Sequence, residues 1–73
     1  MSKYTPLWEW LQTREEPEVI LTFTQVETIA GVPLDHSILR YKKELPAYGW
    51  EYEKISLKRQ TVTFQKIQQE ETL

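Results

Sequence analysis

Cysteine and asparagine do not occur in this chain of 73 residues, and glycine occurs only twice. Without cysteine, disulfide bonds, thiolate metal sites and cysteine nucleophiles are excluded, and without asparagine there is no N-glycosylation site. No run reaches the roughly 18 consecutive apolar residues that a membrane span needs, and the N-terminal residues contain no apolar signal-peptide core. We therefore expect a cytoplasmic protein that does not contact membranes.

Aromatic residues are plentiful for so short a chain, which has three tryptophans, four tyrosines and two phenylalanines. A domain of this size buries roughly 60% of the surface that its unfolded chain exposes, so it can fold alone but with little margin. Large aromatic side chains supply much of the apolar area of such a core. We predict one domain over residues 1–67 and a polar, frayed C-terminal tail over residues 68–73.

Charge is segregated along the chain, although the net charge is only −2. Residues 1–36 contain two cationic and six acidic side chains, a net charge of −4, whereas residues 37–66 contain seven cationic and three acidic ones, a net charge of +4. Such an asymmetry favours an acidic or polyanionic partner for the basic half. The more common alternative is a solvated surface on which the two halves attract each other.

The middle of the chain predicts two helices joined by a tight turn. Thr22 followed three residues later by Gln25 matches a capping box, which places the start of the first helix at Thr22. Thr24 with Glu27 is the competing register. Gly31 is the expected end of this helix, because glycine readily adopts the left-handed conformation that terminates helices.

The second helix of the pair is predicted to begin at Asp35 to Ser37, because both side chains can accept hydrogen bonds from the free amides of a first turn. Pro46 lacks an N–H group and its ring clashes with the preceding turn, so we expect a kink or a restart there. Gly49 is the expected end. The apolar residues recur at helical spacing and form one inward face: Leu34, Ile38, Tyr41, Leu45 and Tyr48.

A helix and a strand are predicted before this pair. Thr5 and Pro6 favour a helix start, since proline in the first turn loses no hydrogen bond. The helix that follows has an inward stripe made of Tyr4, Leu7/Trp8 and Leu11. Val19 to Leu21 is a short β-branched run, which predicts a strand that needs partners from the C-terminal region.

The C-terminal region from Trp50 to Ile67 alternates aromatic or aliphatic with polar residues and predicts a β-hairpin. Ile55 and Leu57 share one face, and a change of parity indicates a bulge near Glu53 and Lys54. The loop Lys58-Arg59-Gln60 has hairpin length and a basic tip but lacks the glycine that tight turns prefer. The returning strand should turn Val62 and Phe64 inward, and Thr61, Thr63 and Gln65 outward.

These elements follow one another in the order α-β-α-α-β-β and predict an α+β fold, with three helices packed on a small antiparallel sheet. The order resembles that of winged helix-turn-helix domains. In their nucleic-acid-binding members, the second helix of the pair lies in the major groove, and the hairpin tip, called the wing, contacts the backbone. The resemblance implies a reading helix from Ser37 to Leu45 and a wing tip at Lys58 and Arg59.

The sequence also resembles a family of small uncharacterised bacterial domains that recurs in Firmicutes. Members share a PL-x-x-x-L opening, an LTF-x-x-V/I-E helix ending in glycine, a KKEL helix and a closing hairpin with TV-x-F. The corresponding segments here are PLWEWL, LTFTQVETIAG, DHSILRYKKEL, YGW and KISLKRQTVTFQKI. They cover almost the whole chain, although Pro46 departs from the pattern inside the second helix. The resemblance implies the fold and a bacterial cytoplasm, and it implies no activity.

Nothing in the sequence predicts a catalytic centre. His36 lies between Asp35 and Ser37, but consecutive side chains on one helix fan apart by about 100° and cannot form a catalytic relay. Pairs of neighbouring glutamates would need a cleft with one carboxylate kept dry, which a domain this small seldom forms. There is no glycine-rich phosphate loop, dinucleotide fingerprint or metal-ligand spacing. We expect neither an enzyme nor a bound cofactor or metal.

Nucleic-acid binding is the hypothesis that the basic half favours, with duplex DNA as the partner. Base edges would be contacted by Ser37 and Arg40, and the phosphate backbone by Lys42, Lys43, Lys58 and Arg59. A sequence pI near 5.3 argues against it, because dedicated nucleic-acid domains are usually basic. A single copy would bind weakly, so a dimer is plausible.

The alternative hypothesis is a protein-interaction module. Its natural anchors are Trp10, Leu39 and Tyr52, provided that they are exposed, since large aromatic and apolar side chains dominate interface energetics. Each of them singly could instead complete the core. The acidic N-terminal half would repel nucleic acid and attract a basic partner, and an exposed apolar patch of several hundred square ångströms would support this hypothesis.

Overall fold

Three α-helices and a three-stranded antiparallel sheet form the part of the chain that the computed structural model describes, residues 2–67. In chain order the elements are α1 (Thr5–Gln12), β1 (Glu18–Thr22), α2 (Phe23–Ala30), α3 (Ile38–Tyr41), a 3₁₀ helix (Lys42–Tyr48), β2 (Trp50–Ser56) and β3 (Thr61–Lys66). The predicted α+β class and the order α-β-α-α-β-β are confirmed, with the 3₁₀ helix added after α3. The predicted tail, residues 68–73, lies outside the described residues.

The start and the end of α2 follow from its sequence signals. The Thr22 hydroxyl accepts a hydrogen bond from the Gln25 amide, and the Gln25 side chain accepts one from the Thr22 amide. This is the predicted capping box, and the register with Thr24 and Glu27 is wrong. Gly31 ends the helix in a left-handed conformation, with φ 75°. This conformation causes no steric strain in glycine, because glycine has no Cβ atom.

The sheet has β3 in its centre, between β1 and β2. On its inner face Val19 lies opposite Phe64 and Leu21 opposite Val62, and all four side chains are buried. The register between β2 and β3 shifts between Tyr52 and Lys54, where the change of sequence parity predicted a bulge. The alternating pattern therefore identified the inner face of the hairpin correctly except at Leu57, which lies in the turn and is exposed.

Thr63 points outward from the sheet, as predicted, and is nevertheless buried. It lies on the outer face, but only 4% of its surface is exposed. Its strand is the central one, so Ile20 of β1 and Lys54 of β2 flank it on both sides.

The core fills the space between the helices and the inner face of the sheet. The Trp8 ring lies edge-on to Phe64, with 6.1 Å between the ring centroids. The Tyr4 ring lies 5.8 Å from Trp8 and 5.9 Å from Tyr41. The predicted inward stripe of α1 is confirmed, since Tyr4, Leu7, Trp8 and Leu11 are fully buried. Aromatic contacts thus join α1 to the sheet and to α3.

The second helix of the pair differs most from its prediction. The helix expected from Ser37 to Leu45 is α-helical only over Ile38–Tyr41 and continues as a 3₁₀ helix to Tyr48. The kink expected at Pro46 is also wrong, because the change of geometry comes earlier, at Lys42. In an α-helix the Pro46 ring would clash with the carbonyl group of Lys42, four residues before it, so α-helical geometry ends there.

The inward face of this segment is nevertheless as predicted. Ile38 and Leu45 are buried, and Tyr41 is half-buried against the core. Gly49 ends the 3₁₀ helix with φ 84°, as its position in the sequence indicated.

The hairpin turn between β2 and β3 spans residues 57–60 and contains no glycine. Gln60 instead adopts a left-handed conformation, with φ 55°, which is uncommon for a residue with a Cβ atom. Its carbonyl group accepts a hydrogen bond from the Phe23 amide at 2.8 Å. The turn is therefore tied to the first residue of α2 and has a defined position beside the helices.

The capping box leads to a testable difference between two neighbouring threonines. Thr22→Ala should lower the free energy of unfolding by about 1 kcal/mol, because it removes the acceptor of the Gln25 amide. Thr24→Ala is the matched control, since Thr24 is exposed and does not cap the helix. Urea unfolding followed by circular dichroism measures both changes, and equal losses of stability would contradict the observed register.

Candidate binding surface

The elements predicted as reading helix and wing lie side by side. The 3₁₀ helix packs against β2. Leu39 of α3 and Leu57 of the hairpin turn line the same groove. We call the surface formed by residues 36–43 and 57–60 the α3–turn face. It contains all six residues that the sequence analysis selected for nucleic-acid contacts.

Four of these six residues carry exposed cationic side chains: Arg40, Lys43, Lys58 and Arg59. Within residues 2–67, none of these four side chains pairs with a carboxylate, and the ion pair found in that range joins Lys3 to Asp35. Unpaired surface cations keep their full charge available for an external anion. The four side chains are thus accessible to a partner.

The other two residues, Lys42 and Ser37, are engaged inside the protein. The Lys42 ammonium lies 4.6 Å from the centre of the Tyr52 ring, a cation–π distance, and burial raises the pKa of the Tyr52 hydroxyl. The Ser37 hydroxyl donates to the Asp35 carboxylate and lies 3.4 Å from the Tyr4 hydroxyl. Their positions are set by these contacts.

At the start of α3 the expected acceptor role is confirmed for Asp35 and is wrong for Ser37. The Asp35 carboxylate accepts a hydrogen bond from the Ser37 amide at 2.8 Å, whereas the Ser37 side chain caps no amide of α3. Asp35 also forms the 2.9 Å ion pair with Lys3. The hydrogen bonds from Lys3 and then Ser37 hold the pKa of Asp35 well below its usual value, and the same ion pair raises the pKa of Lys3.

Glu44 connects the 3₁₀ helix to the N-terminal segment. One of its carboxylate oxygens accepts hydrogen bonds from the Ser2 hydroxyl at 2.6 Å and from the Trp8 indole at 2.9 Å. The Ser2 hydrogen bond is the main cause that lowers the pKa of Glu44, and the Trp8 bond acts in the same direction against partial burial. We call residues 35–48, which contain α3 and the 3₁₀ helix, the α3 segment. Asp35 and Glu44 therefore tie this segment to the N-terminal region. The sequence analysis did not single out Glu44, because its partners lie 42 and 36 residues away.

The anchors expected for a protein-interaction module are mostly covered. Trp10 is half-buried, with the Arg14 guanidinium 5.1 Å from its ring centre, and Tyr52 is half-buried beneath Lys42. Leu39 is 43% exposed, as that hypothesis requires. Leu57, 77% exposed, was missed because the alternating pattern assigned it to a strand. Its position in the sequence, directly before the basic loop tip, could have identified it as an exposed residue.

The outer face of the sheet has acidic character, away from the helices. Glu18 and Glu51 lie on either side of Gln65 in the register, and the Gln65 amide donates to Glu53 at 2.7 Å. Two of these glutamates, Glu51 and Glu53, belong to the basic half of the sequence, so the acidic face of the sheet does not correspond to the charge segregation along the chain. Among the described residues, no group of three or more histidines and carboxylates could hold a metal ion.

Comparisons of the chain with known proteins found no match. No family model, no curated protein and no solved structure matches the chain. The resemblance to a Firmicutes family stays a prediction. Between residues 2 and 67 there is no helix with the length and apolar character needed to cross a membrane.

Low pH should weaken the contacts by which Asp35 and Glu44 stabilise the α3 segment. Because the pKa values of Asp35 and Glu44 are lowered in the folded protein, the unfolded chain takes up protons first as the pH falls. The two carboxylates contribute fully to the free energy of unfolding above the ordinary carboxyl pKa values of about 4. This contribution is lost as the pH falls through the pKa values of the folded protein. Urea unfolding measured from about pH 7 down to about pH 3 should show this loss of stability.

The Glu44→Gln variant tests the part of this effect that belongs to Glu44. It should lose about 1–2 kcal/mol at neutral pH, because a neutral amide is a weaker acceptor for Ser2 and Trp8 than a carboxylate. Its stability should depend less on pH than that of the unmodified protein. Glu9→Gln is the matched control, since Glu9 is exposed on α1. An unchanged pH dependence in Glu44→Gln would contradict the assignment.

Proposed function

We propose that the protein is a small nucleic-acid-binding module that contacts duplex DNA through its α3–turn face. The observation that supports this function best is the presence on that face of four exposed cations without a carboxylate partner in residues 2–67: Arg40 and Lys43 from the α3 segment, and Lys58 and Arg59 from the turn. Cations that neutralise phosphates and release counterions provide most of the affinity in non-specific binding.

The order of the elements supports a winged-helix form of this proposal. Two consecutive helices are followed by a hairpin whose turn lies beside the second of them, as in winged helix-turn-helix domains. In this proposal the turn at Lys58 and Arg59 acts as the wing and holds the backbone of the duplex. The hydrogen bond from the Phe23 amide to Gln60 fixes the wing relative to the helix pair.

The proposed contacts are mainly to phosphates. With four α-helical residues, α3 is much shorter than the helices that read several base pairs in the major groove. Arg40 is the proposed contact to a base edge, because the Ser37 hydroxyl is bonded to Asp35. Phosphate contacts carry no sequence information, so this geometry favours weak binding with little sequence preference.

Part of the negative charge of the protein lies away from the proposed contact surface. Glu18, Glu51 and Glu53 lie on or beside the outer face of the sheet, and the helices that carry the basic face cover the opposite side. An exposed charge further than about 8–10 Å from the duplex is largely screened at physiological salt. The local charge of the α3–turn face therefore matters more than the total.

Salt dependence tests the proposal directly. We expect the affinity for a labelled DNA duplex, measured by fluorescence anisotropy, to fall with salt with a log–log slope of about −2.7, since three phosphate contacts, from Lys43, Lys58 and Arg59, each contribute about −0.9. Lys58→Ala/Arg59→Ala should flatten the slope by about 1.8, and Arg40→Ala/Lys43→Ala by about 0.9, because Arg40 contacts a base edge. All four side chains are exposed, so the fold should be retained.

Lys54→Ala is the matched control for these variants. Lys54 is exposed and cationic, but it lies on the outer face of the sheet opposite Thr63. Its replacement should leave the slope unchanged. Absence of binding at low salt, or an equal effect of Lys54→Ala, would disprove the proposed function.

A further inference from the structure

An apolar groove opens between α2, α3 and the hairpin. Its volume is 390 Å³, and its apolar lining comes from Phe23, Leu34, Ile38, Leu39, Ile55 and Leu57. Two of the three large apolar side chains that are exposed within residues 2–67, Leu39 and Leu57, belong to it. DNA phosphates would leave this groove unused, because they interact with charges and hydrogen-bond donors.

The side chains that are charged at neutral pH and line the groove are acidic. They are Glu27 and Asp35, and the lining contains no lysine or arginine. Asp35 is paired with Lys3 at 2.9 Å. Glu27 accepts a hydrogen bond from the Leu34 amide at 2.9 Å, but this donor is uncharged, so Glu27 keeps an uncompensated negative charge. The complementary occupant of this groove is therefore apolar and carries a cation.

The hairpin turn of the same chain has this chemistry. Leu57 is 77% exposed, and the two residues after it, Lys58 and Arg59, are exposed cations. Within residues 2–67 neither cation pairs with a carboxylate, and Glu27 pairs with no cation. The chain thus presents both a groove with an uncompensated carboxylate and an exposed leucine followed by cations. Such self-complementarity is what a two-fold symmetric interface requires, because both copies use the same surface.

We propose that the groove of each chain docks the hairpin turn of a second copy, so that two chains form a symmetric dimer. Leu57 of each copy packs beside Leu39 in the groove of the other, and Lys58 of each copy pairs with Glu27 of the other. The apolar contacts provide the affinity, and the two charge pairs set the orientation.

The inference does not rest on the proposed function, since the dimer forms without DNA. It affects that function at one residue. Lys58 cannot pair with Glu27 and with a phosphate at the same time, so a DNA duplex and the second copy compete for it.

The openness of the groove favours a protein surface over a small molecule, and its size favours a weak dimer. Pockets for small ligands enclose most of the ligand surface, whereas Leu57 is 77% exposed and Leu39 is 43% exposed. A groove of 390 Å³ holds only a few side chains, and small interfaces belong to weak, transient complexes. We expect a dissociation constant between about 10 μM and 1 mM.

Sedimentation equilibrium of the whole chain without DNA, up to a concentration of about 2 mM, tests this inference. Leu39→Ser and Leu57→Ser should each weaken the dimer by about tenfold or more, because the symmetric interface loses each leucine twice. Ile20→Thr is the matched control, since Ile20 is 58% exposed but lies on the outer face of the sheet. It should leave the dimer unchanged. Circular dichroism checks that each variant keeps the fold.

Charge reversal tests the proposed pairing of Glu27 with Lys58. Glu27→Lys alone and Lys58→Glu alone should each weaken self-association, because like charges then face each other across both halves of the interface. An equimolar mixture of the two variants should form a heterodimer about as strong as the unmodified dimer. In that heterodimer the new lysine meets the new glutamate, and the unmodified Lys58 and Glu27 meet at the symmetric position. A fluorescent label on one variant makes the heterodimer measurable by sedimentation.

The outcomes separate this inference from the proposed function. A protein that stays monomeric up to the highest concentration overturns the inference, as does a Leu57→Ser variant that dimerises like Ile20→Thr. A mixture of Glu27→Lys and Lys58→Glu that associates no better than either variant alone also overturns it, since the charge pair would then be absent. A dimer that meets all three expectations supports the inference even if the chain binds no DNA.

Discussion

Pro46 determines how the α3 segment presents its side chains. The proline ring excludes an α-helical carbonyl group at Lys42, so the chain changes from α-helix to 3₁₀ helix there and stays in that geometry up to Gly49. Lys42, where the geometry changes, lies on the Tyr52 ring, while Arg40 and Lys43 are exposed. It also leaves a short helix, which suits contacts to phosphates or to another protein better than insertion along a groove of DNA.

A segment this short cannot hold itself in place, because isolated helices of a few residues are unstable in water. Its position depends on long-range contacts with the N-terminal region. Buried Ile38 and Leu45 supply the apolar part, and the carboxylates of Asp35 and Glu44 supply the polar part. The exposed cations Arg40 and Lys43 therefore stand on a segment that contacts with the N-terminal region hold in place.

Much of the fold could be predicted, because its signals are local. The capping box at Thr22, the stops at Gly31 and Gly49 and the bulge near Lys54 each follow from residues a few positions apart. The inward faces of the helices and of the hairpin follow from spacing alone, since burial of apolar side chains repeats with the period of each element. For the same reason the exposed positions of Arg40, Lys43, Lys58 and Arg59 were accessible from the sequence.

The sequence by itself thus determined the order of the elements, their core faces and the basic character of one half. Only the tertiary structure decided that Thr63 is covered by its neighbouring strands, that Glu44 meets Trp8, and that Leu39 and Leu57 line a common groove. These features depend on which distant segments meet, and one-dimensional periodicity carries no information about such pairings. Leu57 is the clearest example, because its partners in the groove include Phe23 of α2 and Leu39 of α3, which lie far before it in the chain.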